Sequence, residues 1–219
     1  MRSNSVSVYR LFIPRHPSEQ ELAPRHRRQA GALVPRSGER KTLDLQPAQY
    51  SSPRFSPDGR HIAFTLFGAR ETNIWVYDVT ARTAPRRLTF AGDGFDPVWT
   101  PDGKRIVFGG DEGLWWQPAD GSGSAERLIA AEAGRGMLPM SFPRHSNILS
   151  YLRTPALWTI ALDGDRTPKS LVRPQSGTVG VSRFSPDGRW VAYTFNETSR
   201  DEIFVEPVPP TPTRRCRST

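Results

Sequence analysis

Three aspartates recur at matching places along the chain and are its most regular candidates for chemistry. Asp58, Asp102 and Asp187 each stand between a proline and a glycine. Carboxylates at matching places in neighbouring repeats could line a ring and bind a calcium ion. However, an aspartate that precedes glycine in a turn accepts hydrogen bonds from its own backbone, which requires no ligand. We therefore predict that the three aspartates cap turns, and we predict no metal site and no cofactor.

Other catalytic patterns are incomplete. The stretch Gly180-Val181-Ser182-Arg183-Phe184 lacks the second glycine of a nucleophile elbow. The sequence has no Walker-type lysine loop, no cysteine pair and no His-x-x-x-His spacing that would supply zinc ligands. The histidines lie in the N-terminal stretch or at turns, where solvation is the usual state: His16, His26, His61 and His145. The sequence therefore predicts no catalytic residue and a chain that is not an enzyme.

The aspartates belong to a repeat. Residues 55–60 read FSPDGR, and related text returns at 99–104 and 184–189, while the copy at 142–146 has decayed to FPRHS. The prolines of the four copies, Pro57, Pro101, Pro143 and Pro186, are spaced 44, 42 and 43 residues apart. A fixed period of roughly 40–45 residues, with short strands and turns, is typical of a propeller blade.

Each turn is followed by the same order of strands. An apolar stretch comes first, at 61–65, 105–108, 147–151 and 190–194, and reads as a strand buried on both faces. A second strand with an aromatic at a constant phase follows at 73–77, 113–116, 156–160 and 202–205. Outer strands follow, such as 86–89 and 126–129. The pattern predicts four strands per repeat, with a looser third hairpin because Arg144-His145-Ser146 replaces Asp-Gly there.

The tryptophans recur in phase with these strands and are interpreted mainly as packing between blades. They are Trp75, Trp99, Trp115, Trp116, Trp158 and Trp190. Trp116 follows Trp115 directly, so the two side chains must point to opposite faces of a strand. Trp116 is therefore a weak candidate for contact with a partner, and no other residue is singled out as a binding site.

The repeats resemble a known family, the TolB-like β-propellers. The resemblance is carried by residues 50–59, 73–78, 87–90 and 97–103, and it is closest to the propeller that follows the kinase domain in bacterial receptor Ser/Thr kinases. Residues 119–128, 184–193 and 201–205 agree with it. The similarity covers about residues 31–209. It is specific for the fold and weak for function, because one propeller architecture hosts many activities.

The resemblance sets the expected domain organisation. The fold is predicted to be an all-β propeller with about four four-stranded blades, an incomplete form of the six-bladed TolB-like propeller. The predicted divisions are a disordered basic leader at 1–30, a partial blade at 31–50, blades at 51–91, 92–133, 134–175 and 176–209, and a disordered tail at 210–219. Exposed blade faces favour self-association.

The formal net charge of +8 is concentrated at the two ends. Residues 1–41 carry +6 and residues 210–219 carry +3, whereas the repeats between them carry −1. A nearly neutral propeller offers no broad basic face for phosphates, so we predict no nucleic-acid partner.

The sequence shows no signal peptide or apolar run long enough to span a membrane, and its single cysteine, Cys216, excludes an internal disulfide. As written, the chain is expected in the cytoplasm, or in the periplasm if its parent is TolB-like or a receptor kinase.

The sequence leaves three hypotheses about function. The first is a non-enzymatic binding or sensor module for a protein or peptide, because rigid blades present loops at their ends and loops carry recognition. The second is an accessory propeller that filters substrates for a separate hydrolase domain of the prolyl-oligopeptidase type. The third is a truncated product with no function of its own.

Overall fold

A computed structural model describes most of the repeat region and short pieces of the two ends. The described residues are 10–12, 32–34, 41–43, 45–46, 48–81, 83–132, 136–197, 200–209 and 216–217. Within these ranges the regular elements are strands, joined by turns and bends, with no helix. The chain divides into two compact units, Met1–Phe95 and Asp96–Thr219. The predicted all-β fold class is therefore confirmed.

The first unit contains two antiparallel sheets. The smaller sheet has three short strands, β1 (Arg10–Phe12), β2 (Ala32–Val34) and β3 (Lys41–Thr42). The larger sheet is the first blade, with β4 (Gln49–Phe55), β5 (His61–Phe67), β6 (Thr72–Asp78) and β7 (Arg86–Arg87). Each blade strand pairs antiparallel with the next strand along the chain.

Three more four-stranded blades follow. The second blade comprises β8 (Phe95–Trp99), β9 (Arg105–Gly110), β10 (Gly113–Pro118) and β11 (Glu126–Ala130). The third comprises β12 (Met137–Ser141), β13 (Ile148–Arg153), β14 (Ala156–Ala161) and β15 (Lys169–Val172). The fourth comprises β16 (Thr178–Phe184), β17 (Trp190–Asn196), β18 (Glu202–Pro207) and β19 (Cys216–Arg217). Four four-stranded blades were expected and are present.

Burial follows the predicted pattern in three of the four strands that come after the turns. Consecutive residues are buried in β5, β9 and β13, which identifies strands covered on both faces. In β17 burial alternates instead, with Val191, Tyr193 and Phe195 buried and the residues between them partly or largely exposed. Period-two burial indicates a sheet that is covered on one face only.

The turns behave as their sequences predict. Five residues separate the first two strands of the first, second and fourth blades, and the glycines in them are left-handed, at φ 73° for Gly59, 70° for Gly103 and 72° for Gly188. Glycine adopts this conformation without a Cβ clash. In the third blade the loop has six residues, 142–147, and contains no glycine. The third hairpin is therefore one residue longer than the others.

The second unit packs its blades through two apolar clusters. We call the first interface 2/3, because it joins the second blade to the third through Val107, Leu114, Trp116, Met137, Leu149, Tyr151, Ile160 and Leu162. We call the second interface 3/4, and it is formed by Met140, Leu152, Leu157, Leu171, Val172, Val179, Val191, Tyr193, Phe195 and Phe204. In the first unit, Leu43 packs with Ile62, Phe64 and Tyr77 of the first blade.

The two ends differ in part from the predicted disorder. Within the expected leader, residues 10–12 form β1 and pair with β2, and within the expected tail, residues 216–217 form β19 and pair with β18. The other residues of 1–30 and 210–219 lie outside the described part of the chain. The predicted partial blade at 31–50 contributes β2 and β3 to the three-stranded sheet.

Candidate functional site

The repeated aspartates accept hydrogen bonds within their own turns. Oδ1 of Asp58 accepts from the Ser56 hydroxyl at 2.5 Å and from the backbone N–H of Arg60 at 3.0 Å. The Ser56 hydroxyl oxygen in turn accepts from the backbone N–H of His61 at 2.9 Å. The same three bonds recur around Asp102 and Asp187, with distances of 2.6–3.1 Å in the fourth blade and 2.7–3.0 Å in the second.

These bonds explain the electrostatics of the turns. The Ser185 hydroxyl, together with the side chain and backbone of Arg189, lowers the pKa of Asp187 to about 2. The Ser56 hydroxyl and the Arg60 backbone likewise lower the pKa of Asp58. Each aspartate therefore stays ionised in order to close its own turn. Among the described residues, no group of three or more His, Cys, Asp or Glu side chains is placed to hold a metal ion.

Trp116 lies inside interface 2/3 and is 9% exposed. Its Nε1–H donates to Glu126 Oε2 at 3.0 Å. The guanidinium carbons of Arg105 and Arg166 lie 4.0 and 5.0 Å from its ring centroid. This placement gives Trp116 a packing role stabilised by cation–π contacts. Contact with a partner remains a prediction, and it would require the arginines to move.

The residues of the incomplete nucleophile pattern are structural. Ser182 is fully buried, and its hydroxyl lies 3.3 Å from that of Ser150. The Ser150 hydroxyl lies 3.1 Å from that of Ser141. The three hydroxyls form a chain between the third and fourth blades. Among the described residues, no histidine or carboxylate is hydrogen-bonded to Ser182.

Three side chains at one end of the first blade, on β7 and the adjoining loops, contact one another near the surface. We call them the Phe90 cluster, and they are Glu71, Arg87 and Phe90. Phe90 is 73% exposed, and Phe67, at the end of β5, is 38% exposed. The Cζ atom of Arg87 lies 5.0 Å from the centroid of the Phe90 ring. An aromatic side chain in this position presents a large apolar surface to solvent.

Hydrogen bonds hold the Phe90 cluster in place. Arg87 donates to both oxygens of Glu71, at 3.1 Å from Nη1 and 2.8 Å from Nη2, and its Nε donates to the Thr89 carbonyl at 2.8 Å. The backbone of Thr72 exchanges two bonds with the following loop, at 2.7 Å with the Gly92 carbonyl and 2.8 Å with the Gly94 N–H. A bidentate pair fixes the arginine plane, so the exposed ring is preorganised.

Sequence reasoning missed the Phe90 cluster. The available signal was an aromatic residue immediately before the Gly- and Asp-rich stretch Ala91-Gly92-Asp93-Gly94, where an apolar side chain has no strand to bury it. The pairing of Arg87 with Glu71, sixteen positions apart, was not visible because it depends on how two loops meet.

Comparisons with known proteins identify related sequences. The chain is 36% identical over 91 residues to the Tol-Pal system protein TolB of Anaeromyxobacter dehalogenans, a match that covers 40% of this chain and 21% of that protein. It is 42% identical over 55 residues to the Tol-Pal system protein TolB 1 of Novosphingobium aromaticivorans, covering 24% and 12%. The matched region thus spans about a fifth or less of these relatives. No family model matches the chain.

Solved structures show the same fold at low sequence identity. TolB from Acinetobacter baumannii superposes with a TM-score of 0.71 at 16% identity, covering 88% of this chain and 50% of that one. A putative TolB from Agrobacterium tumefaciens gives 0.69 at 16% identity, covering 84% and 66%. A prolyl endopeptidase gives 0.60 at 16% identity, covering 86% and 33%.

The part of the chain that the structure describes has no helix long and apolar enough to cross a membrane. The strand order within each sheet, the relatives in sequence and the neighbours in structure all agree on the architecture. The described residues therefore form β-propeller blades, and the chain is similar in sequence and in fold to TolB proteins.

Proposed function

We propose that this chain is a non-enzymatic β-propeller module that binds a protein or peptide partner. The observation that carries the proposal is the Phe90 cluster, an exposed aromatic held in place on loops of a TolB-like blade. Aromatic side chains at the centre of an interface supply much of its binding energy. Because Arg87 and Glu71 neutralise one another, the surface around Phe90 favours an apolar anchor over a strongly charged ligand.

The similarity to Tol-Pal system proteins supports a protein partner in particular. Under this proposal the chain is a part of a TolB-like or kinase-associated propeller, an incomplete form of the six-bladed fold. Its working compartment would be the one in which such a parent acts, which is the periplasm for a TolB-like parent. Loops at the ends of rigid blades are suited to this task, since the blades fix their positions.

A peptide display experiment tests the proposal. The probe is a random peptide library selected against the purified chain, and the enriched peptides are measured against the Phe90→Ala variant by fluorescence anisotropy. We expect at least about a tenfold loss of affinity in Phe90→Ala, as for a hot-spot residue. The matched control is Ile148→Ala, because Ile148 is 39% exposed but lies in the third blade.

Two results would contradict the proposal. One is a library that yields no peptide, or only peptides whose affinity is unchanged in Phe90→Ala. The other is turnover of a peptide substrate by the purified chain, which would be incompatible with a non-enzymatic module.

The structural similarity to a prolyl endopeptidase supports a second candidate, the accessory propeller of a hydrolase. In that role the blades would restrict access to a catalytic domain held elsewhere. The discriminating observation is the locus: a sequence downstream that encodes a Gly-x-Ser-x-Gly domain favours the hydrolase, and a kinase upstream favours the sensor.

A further inference from the structure

An aspartate followed by glycine is a place where a protein backbone can rearrange without an enzyme, and this chain has six such pairs. Glycine lacks a Cβ, so its amide nitrogen can approach the carboxyl group of the preceding aspartate without hindrance. The six pairs begin at Asp58, Asp93, Asp102, Asp120, Asp163 and Asp187. All six lie in the described part of the chain.

Five of the six glycine amides are hydrogen-bonded to a backbone carbonyl. The donors and acceptors are Gly59 and Ser56, Gly94 and Thr72, Gly103 and Thr100, Gly121 and Pro118, and Gly188 and Ser185, at 2.8–3.0 Å. A nitrogen whose proton is held in such a bond must break the bond before it can attack a neighbouring carbon. These five pairs are therefore protected by the backbone conformation of their own turns and loops.

Gly164 is the exception. It lies in the loop between β14 and β15, and among the described residues no group accepts a hydrogen bond from its N–H. Its φ is 69°, and a Cβ added to it would meet no atom within 4 Å. Asp163 and Gly164 are both exposed. Solvent therefore surrounds this amide, and the backbone beside it has room to move.

The carboxyl group of Asp163 also accepts fewer hydrogen bonds than those of the repeated turns. Its Oδ2 accepts one, from Asn147 Nδ2 at 2.6 Å. Asp58 and Asp187 each accept bonds from a serine hydroxyl and a backbone N–H, which lower their pKa values and keep them ionised. An ionised carboxylate resists attack by nitrogen, because the carboxyl group must be protonated to release water. The turn aspartates are thus protected at both reacting atoms, and Asp163 is less protected at both.

The loop around Asp163 is held at its two ends. Leu162 is buried in interface 2/3, and its N–H donates to the Asn147 carbonyl at 2.9 Å. Arg166 donates from Nε to the Leu162 carbonyl at 3.3 Å, and its Cζ lies 5.0 Å from the centroid of the Trp116 ring. The unbonded amide of Gly164 therefore belongs to a loop that is fixed on both sides.

We propose that Asp163 is the residue at which the folded chain forms isoaspartate fastest. The nitrogen of Gly164 attacks Cγ of Asp163, and the hydroxyl group of the protonated carboxyl leaves with the amide proton as water, which closes a succinimide ring. A water molecule then adds to one of the two ring carbonyls. Addition at Cγ restores aspartate, whereas addition at the former backbone carbonyl leaves the chain running through Cγ and one methylene longer.

The product is a substrate for enzymes of the class that methylates isoaspartyl carboxyl groups. The modification is independent of the proposed function, because the Phe90 cluster belongs to the first unit and Asp163 to the second.

Ageing of the full chain at neutral pH, well below its melting temperature, tests the proposal. Samples are digested with trypsin, and isoaspartate is quantified at each pair by mass spectrometry with electron-transfer fragmentation. The identical tryptic peptides 55–60 and 184–189 are counted as a sum. We expect isoaspartate to accumulate at Asp163 roughly three- to tenfold faster than at any other pair, the factor that loss of one hydrogen bond supplies. The other five pairs are matched controls within the same sample.

Two further samples separate protection by the fold from effects of local sequence. In guanidinium chloride all six amides are exposed to solvent, so the six rates should converge. Gly164→Ala places a Cβ beside the attacking nitrogen and should slow the reaction at Asp163 alone, with circular dichroism confirming the wild-type strand signal.

Three results would overturn the proposal. One is a folded chain in which another pair reacts as fast as Asp163 or faster. The second is an excess at Asp163 that persists unchanged in guanidinium chloride. The third is a rate at Asp163 that Gly164→Ala leaves unchanged.

Discussion

Interfaces 2/3 and 3/4 use the same strand positions but treat buried polar groups differently. In interface 2/3 the hydroxyl of Tyr151 is buried and has no hydrogen-bond partner among the described residues. In interface 3/4 the hydroxyl of Tyr193, at the equivalent position, donates to Glu206 at 2.7 Å. Burial without a partner raises the pKa of Tyr151 to about 12. One interface therefore relies on packing, and the other adds polar bonds to it.

The polar bonds of interface 3/4 cross from blade to blade. The Ser150 hydroxyl of the third blade meets that of Ser182 in the fourth, and the Ser141 hydroxyl accepts from the backbone N–H of Phe184 at 3.1 Å. Val107 holds the place of Ser150 in the second blade, and its side chain contributes only apolar contacts there. Two neighbouring interfaces of one fold can thus be stabilised in different ways, and single substitutions should reveal the difference.

The largest expected effect comes from the buried leucine that each interface places at the same position. We expect Leu114→Ala and Leu157→Ala each to lower the free energy of unfolding by about 2–5 kcal/mol, since both leave a cavity. Urea unfolding followed by circular dichroism measures the change. Ile203→Ala is the control, because Ile203 is exposed, and it should change stability by less than about 1 kcal/mol. A much smaller loss for Leu157→Ala than for Leu114→Ala would show that the polar bonds alone hold interface 3/4.

A glycine at the edge of interface 3/4 gives the second effect. Gly188 has φ 72°, and a Cβ there would lie 3.0 Å from Cβ of Pro143 in the third blade. Gly59 has φ 73° with nothing within 4 Å of such a Cβ. Gly59→Ala should destabilise the chain by about 1–2 kcal/mol through its left-handed backbone alone. Gly188→Ala should cost more, because Pro143 must also move. Thermal melts of both variants measure the difference. Equal decreases in melting temperature would mean that Pro143 moves away from the added methyl group at no cost.

The two tyrosines test the comparison directly, because their substitutions are expected to affect the free energy of unfolding differently. Tyr193→Phe removes the bond to Glu206 and should lower the free energy of unfolding by about 1 kcal/mol. Tyr151→Phe removes an unpaired hydroxyl and should leave stability unchanged or raise it slightly. Urea unfolding at neutral pH is the measurement. A destabilised Tyr151→Phe would indicate that the Tyr151 hydroxyl does bond, for example to a buried water.

Alkaline titration extends that test. The folded pKa of Tyr151, about 12, is above its ordinary value of 10.0. The unfolded chain therefore loses this proton at a lower pH than the folded chain does. The stability that depends on the protonated Tyr151 hydroxyl is complete below pH 10 and is lost as the pH rises from about 10 to about 12. Tyr151→Phe should remove this part of the alkaline loss of stability.

The smallest effect concerns the turns beside interface 3/4. The folded pKa of Asp187 is about 2, below its ordinary value of 3.8. Its stabilising contribution is therefore present above pH 3.8 and is lost as the pH falls toward 2. Asp187→Asn should flatten the acid limb of a stability profile slightly, because the group is exposed and solvent screens it. Arg144→Gln, in the third turn, is the control and should leave the acid limb unchanged.

The strands could be predicted from the sequence because their determinants are local. The turn residues Ser-Pro-Asp-Gly and the apolar run after them lie within a dozen positions, and the predicted all-β class with four four-stranded blades is the one observed. The third hairpin, which lacks this glycine, was predicted to be looser and is one residue longer than the others.

The Phe90 cluster and the polar chain of interface 3/4 could not be predicted, because they join distant positions. Arg87 and Glu71 are sixteen residues apart, and Ser150 and Ser182 are thirty-two apart. The sequence around a serine in a strand does not indicate which other hydroxyl group will lie next to it in the folded chain. Trp116 illustrates the same limit. Its position next to Trp115 indicates that the two side chains lie on opposite faces of the strand, but not that two arginines cover the Trp116 ring.

The strand order has a consequence for how the chain acquires its structure. Every pairing between described strands joins two that are consecutive in the chain, so each ladder within a blade closes only a short loop. Short loops form quickly, and repeat architectures tend to fold by local nucleation followed by growth to neighbours. We therefore expect backbone amides of one blade to become protected from hydrogen exchange together, and the blades to do so at different times during refolding.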